Sequence, residues 1–125
     1  MEKSKFSWKK RGESFKYAFA GIGRLISHEH NAWIHCVVAV LVIIAGFFFK
    51  ISANEWLAVF ICIGGVLAAE GFNSSIEALA DRVNPEYDEA VKHTKDLAAG
   101  AVLLFVFAAV AVGLTIFLPK LILMF

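Results

Sequence analysis

The sequence predicts an all-α membrane protein, with an N-terminal amphipathic interfacial helix followed by three transmembrane helices. Three observations carry this. Of 125 residues, 59% are hydrophobic and 18% charged, and the mean hydropathy is +0.70. The apolar residues come in blocks: Trp33 to Phe49 broken only by His35, Trp56 to Ala69 without a charge, and Leu97 to Leu118, 22 residues without a charge. Positive charge gathers ahead of the first block, where Lys3, Lys5, Lys9, Lys10, Arg11, Lys16 and Arg24 stand against Glu2 and Glu13.

A bilayer core about 30 Å thick needs about 20 apolar helical residues to cross it. The third block suffices alone. The first two reach that length by borrowing polar residues at their inner ends. A soluble helical bundle fits poorly, because the third block is apolar on every face. No secretory leader is expected, since the first block starts late and no small-residue cleavage site precedes a polar region. The chain reads as one domain, 1–125, with residues 1–30 cytoplasmic or interfacial and spans at about 32–49, 56–76 and 97–118. The positive-inside rule places the N-terminus in the cytoplasm. Lys50 to Glu55 then lie outside and Arg82 to Lys95 inside. The net charge is +1, and an anionic lipid surface, not nucleic acid, is the expected partner of the basic end.

Each element has its own signal. Phe15, Phe19, Ile22 and Ile26 form one stripe, predicting a helix over 14–30 capped by Ser14 and lying at the membrane surface. The alternative is a helix packed on a partner's polar loop. Span one follows, then the polar turn Lys50 to Glu55. Trp56 anchors span two, whose Gly64, Gly65, Ala68, Ala69 and Gly71 allow close helix approach. Asn84-Pro85 ends that helix. Residues 84–96 read as a linker with a helical second half, and span three is expected to stop at Pro119. Cys36 and Cys62 lie about 12 Å apart in depth at 1.5 Å per residue. That exceeds the ~7 Å a disulfide bridges, so both read as apolar fillers.

Chemistry points to Gly64–Arg82. At 100° per residue, Glu70, Asn73, Glu77 and Asp81 fall within an arc of about 80°. Glu70 is the deepest, about 21 Å along the helix from Trp56. A carboxylate in lipid is costly and reads as functional; burial there suits a general base. Glu77 and Asp81 sit at or beyond the headgroups, where an ordinary solvated helix end is the plain alternative. Glu29, Lys95 and Asp96 face the same side, although Lys95 beside Asp96 also reads as an ordinary interface pair. Together these groups offer two carboxylates, a base and a cation near one depth, which suits magnesium and phosphoryl transfer. No Walker-type loop or soluble-kinase motif set occurs. His28, His30 and His35 lack a familiar zinc spacing and read as polar anchors.

The segments FKYAFAGI, EHNAWIH, AAEGFNSSIEALADR and HTKDLAAGAVL resemble the bacterial integral-membrane diacylglycerol kinases. The resemblance runs from about Phe15 to the end of span three. It implies a homotrimer in the bacterial inner membrane with active sites shared between neighbours. It implies transfer of the ATP γ-phosphate to a lipid alcohol. Glu70 then serves as base at the lipid hydroxyl and Asn73 as an orienting group. Glu29 and Glu77 hold Mg2+ with ATP. Tyr17, Glu86, Tyr87, Asp88, Lys95 and Asp96 contact the nucleotide, and Lys10 or Arg11 adds a basic contact. Asn31 to His35 look more like the undecaprenol kinase branch than the diacylglycerol branch. Two readings compete: a proton- or ion-conducting oligomer with Glu70 as relay, and an accessory membrane subunit in which Glu70 only bonds across helices. The outer half of span two, Trp56 to Gly65, lacks the polar residues a conductor needs.

Overall fold

A computed structural model describes residues 5–125, so Glu2 and Lys3 lie outside it. The described chain is four helices: α1 Trp8–His28, α2 His30–Phe49, α3 Ala53–Val83 and α4 Glu89–Met124. The last three are each long and apolar enough to cross a membrane.

The surface helix starts earlier than its stripe predicts. Ser7, not Ser14, is the N-cap: its extended backbone lets Oγ accept from the Lys10 N–H. Ser14 sits inside the helix and donates to the Lys10 carbonyl. No residue of α1 is buried. Its Phe15, Phe19, Ile22 and Ile26 stay exposed, an apolar stripe available to a membrane surface or to a partner. Glu29 breaks the helix with extended dihedrals of −100° and 112°. Across that break the Trp33 indole N–H donates to the Ile26 carbonyl, fixing how α1 joins α2.

The α2–α3 turn is tight. Lys50 adopts the left-handed conformation at φ 53°, and the Ile51 N–H returns to the Gly46 carbonyl. A Cβ on Gly46 would lie 2.6 Å from the Trp56 ring, so glycine is what lets these helices meet. Ser52 and Glu55 form a reciprocal capping box. Ile51, Val59 and Ile116 gather here as a small core, with Phe49, Trp56 and Phe117 packed on it.

The two longest helices, α3 and α4, pack on each other most extensively. Gly65 faces the ring of Phe105, where a Cβ would sit only 1.9 Å from the nearest ring carbon. Ion pairs fasten both ends. Lys120 Nζ lies 2.6 Å from Glu55 at one end, and Lys95 pairs with Asp81 at the other. Asp81 is 26 residues from Glu55 and Lys120 is 25 from Lys95, so two antiparallel helices of equal rise meet at both pairs in one register.

Pro119 does not end α4, which continues to Met124. A proline removes one backbone donor. In lipid no water replaces the remaining helical hydrogen bonds, so keeping them is favoured on both sides of the gap. Lys120, next to it, donates to the Ile116 carbonyl as well as to Glu55.

The Glu55–Lys120 side chains are 27% and 29% exposed, so solvent screens the pair and its contribution to stability is small. Lys120→Met is expected to lower the unfolding midpoint in detergent slightly. Collapse of the fold would instead make this pair, not the Gly65–Phe105 packing, the main tie between α3 and α4.

Candidate active site

Along α3 the buried residues are Val59, Val66, Glu70 and Asn73. The steps of seven, four and three put them on one face. Glu70 is 3% exposed and Asn73 6%, the only buried polar side chains among the described residues. Glu77 and Asp81 continue the face into exposed positions. The stripe therefore runs from the packed interior to solvent, as its spacing predicts.

Glu70 has one charged-capable neighbour. His35 Nε2 of α2 lies 3.6 Å from its Oε2. That is within ion-pair reach and too long for a hydrogen bond. Asn73 Oδ1 is buried with no hydrogen-bond partner. Leaving such an oxygen unmatched costs about 1–3 kcal/mol, and it is an acceptor free to receive a donor from a bound molecule. A carboxylate, an imidazole and an open amide oxygen thus occupy one side of the α2–α3 contact. This set can bind a hydroxyl and remove its proton.

The remaining expected site residues lie on α1, at the α1–α2 break and around the α3–α4 turn. Tyr17 is exposed on α1, and Glu29 is half-buried at the α1–α2 break. No ion pair or hydrogen bond joins Glu29 to Glu77. Among the described residues, no group of three or more His, Cys, Asp or Glu side chains is placed to hold a metal. Glu86, Tyr87 and Asp88 lie in the turn between α3 and α4. There the Glu86 N–H donates to Asn84 Oδ1, and Asp88 caps α4 by accepting from the Val91 N–H. Tyr87 is 80% exposed. Lys95 and Asp96 are not paired with each other, because adjacent positions on a helix diverge by about 100°. Lys95 reaches across to Asp81, and Asp96 takes Lys92 one turn away at 2.6 Å. That hydrogen bond holds the Asp96 carboxyl below its ordinary value, ahead of the charge-free part of α4.

The three histidines have separate surroundings. His28 Nδ1 lies 2.7 Å from Ser27 Oγ, His30 packs edge-on against Trp33, and His35 faces Glu70. Sequence reads His35 as a polar anchor; its break in the first apolar block is the available signal, and its approach to Glu70 depends on how α2 packs on α3. Cys36 and Cys62 are both free.

Three helices long and apolar enough to cross a membrane, one of them carrying a buried carboxylate, define a helical membrane protein. The family description "Prokaryotic diacylglycerol kinase" matches residues 16–117. An undecaprenol kinase of Bacillus subtilis is 38% identical over 109 residues, covering 87% of this chain and 89% of the relative. A diacylglycerol kinase of Synechocystis is 39% identical over 111 residues, covering 86% of this chain and 62% of the relative. One from Sinorhizobium is 33% identical over 97 residues, covering 74% and 66%. The chain belongs to the prokaryotic diacylglycerol kinase family and is a lipid kinase.

Proposed function

We propose that this kinase transfers the γ-phosphate of ATP, with Mg2+, to the primary hydroxyl of a membrane lipid alcohol. Undecaprenol is the favoured substrate and diacylglycerol the alternative. The observation that carries the reading is Glu70: a carboxylate buried in an apolar helix against His35, at the inner end of a stripe leading to solvent. Support for undecaprenol comes from the Bacillus relative, which aligns along nearly the whole of both chains.

In this reading the lipid hydroxyl enters beside Glu70 and donates to Asn73 Oδ1 or to the carboxylate. Glu70 takes the hydroxyl proton as the oxygen attacks the γ-phosphorus in line, and ADP leaves. Positioning contributes much of the rate, because the lipid is confined to the plane of the membrane. Glu29 and Glu77 fit a magnesium–nucleotide complex by donor chemistry: both offer hard carboxylate oxygens, and neither is occupied by an ion pair among the described residues. Such a metal would neutralise phosphate charge. Tyr17, Glu86, Tyr87, Asp88, Lys95 and Asp96 would line the nucleotide's side. Asp88 would serve mainly through its cap, holding the start of α4. A homotrimer in the cytoplasmic membrane, N-terminus inside, completes the proposal.

The test is phosphate transfer from labelled ATP by the purified protein in mixed micelles, with undecaprenol and diacylglycerol offered separately. Magnesium-dependent transfer to undecaprenol is expected. Transfer to neither lipid by the folded protein would remove the reading.

A further inference from the structure

The two outer carboxylates of the α3 stripe are in different situations. Glu77 and Asp81 lie one turn apart on the same face, and both are exposed. Asp81 accepts from the Lys95 ammonium of α4, whereas Glu77 has no ion pair among the described residues. The cation comes from the covered side of its helix. Over the first three turns of α4 the least exposed positions are Val91, Lys95 and Ala98, at steps of four and three. They mark the face turned to α3. Lys92, His93 and Asp96 are exposed on the other sides. Side chains lean toward the N-terminus of their own helix. In this antiparallel pair Lys95 therefore leans toward the α3–α4 turn and Asp81 leans away from it, so the two converge.

Stability does not account for this contact. The Lys95 and Asp81 side chains are 34% and 62% exposed, and solvent screens a pair of that kind. What the contact fixes is the position of a cation on a flexible four-carbon stem, which carries much rotamer freedom when unheld. An ammonium has three N–H donors. Asp81 takes one and leaves two.

We propose that Asp81 is a positioning residue for Lys95: it holds the ammonium at the α3–α4 seam, with two donors open to nucleotide phosphate oxygens, and keeps it off Glu77. The proposal rests on the kinase reading, in which Lys95 meets the nucleotide, and gives a role to a carboxylate that otherwise reads as a solvated helix end. Two effects follow. The ordering of the lysine stem is complete before a nucleotide arrives, so less entropy is lost on binding. Glu77 also stays available. Side chains one turn apart have β-carbons about 5–6 Å from each other, so a lysine released from Asp81 finds Glu77 as the next acid on that face. A Lys95–Glu77 pair would occupy oxygens that a magnesium–nucleotide complex needs. Asp81 itself touches neither nucleotide nor metal and acts through Lys95.

The test reads nucleotide binding as well as turnover, on the full chain in detergent micelles. Asp81→Ala is expected to weaken Mg2+-dependent binding of a non-hydrolysable ATP analogue at least fivefold and to raise KM for ATP by a similar factor. KM for the lipid alcohol and the unfolding midpoint should stay at wild-type values, which a merely structural role would not produce. Asp81→Glu keeps the carboxylate and should bring analogue binding back to within threefold of wild type. The deciding comparison uses Lys95→Met. Adding Asp81→Ala to it should change analogue binding less than twofold, because residues acting as one unit are not additive. An equal loss in both backgrounds would overturn the proposal, since Asp81 would then act without Lys95. Wild-type affinity in Asp81→Ala would overturn it as well. So would tighter binding, which would make Asp81 a competitor of phosphate for Lys95. A wild-type protein that binds no nucleotide would sink the kinase reading and this proposal with it. A wild-type kinase indifferent to Asp81→Ala would sink the proposal alone.

Discussion

Glu70→Gln is expected to lower phosphate transfer by two to four orders of magnitude while the folded protein becomes no less stable. Glutamine has the size of glutamate and cannot accept a proton from the lipid hydroxyl. General-base contributions of about 10²–10⁴ set the loss, equal to roughly 3–5 kcal/mol of barrier. The stability side is just as informative. Glu70 is 3% exposed, and burying a charge costs far more than burying a neutral amide. A carboxylate kept for structure would be missed when removed. One kept for chemistry leaves a fold that tolerates its loss. Transfer assays beside thermal unfolding in detergent separate the two, and a Glu70→Gln protein with wild-type turnover would exclude Glu70 as the base.

The largest effect on stability is expected at Gly65. A Cβ there would sit 1.9 Å from the Phe105 ring, so Gly65→Val forces the ring or a whole helix to move. Overpacking in a well-packed interior costs about 1–3 kcal/mol. Here it falls on the most extensive helix contact of the chain, so a loss at or above the top of that range is expected, with a large drop in unfolding midpoint. Gly64→Val is the control. Gly64 is adjacent and exposed, and its Cβ would meet nothing within 4 Å. It should unfold near the wild-type midpoint. Equal losses in both variants would assign the effect to backbone propensity and not to Phe105.

That pair also shows what sequence carried and what it did not. Small residues in span two announce close helix approach, yet Gly64 and Gly65 are indistinguishable as letters. Only the placement of Phe105, forty residues on, separates them. The three spans were legible because hydropathy acts over twenty residues and needs no partner. The Glu70, Asn73, Glu77, Asp81 stripe was legible because all four share one helix. The Glu70–His35 and Lys95–Asp81 contacts were not, since each joins two helices whose relative rotation is set by packing. Ser14 misled as a cap because Ser7 precedes a turn with little apolar signal. Pro119 misled because the rule that proline ends helices assumes water ready to replace the lost bond.

The length of α3 has a consequence of its own. Its 31 residues span about 46 Å, while the hydrocarbon core is about 30 Å. Some ten residues must project, and the capped turn at Ser52 and the broad ring of Trp56 fix which end stays at the surface. Glu70 is then suspended at a set distance from that anchor. A helix tilts, and lipids stretch or thin, to absorb mismatch at fractions of a kcal/mol per Å. With Glu70 as the proposed base, acyl-chain length in the surrounding bilayer is expected to act on phosphate transfer: thin membranes would bring the carboxylate toward water, and thick ones would draw it away from the aqueous face. On that proposed reading, the host membrane's composition would tune the kinase without altering a residue.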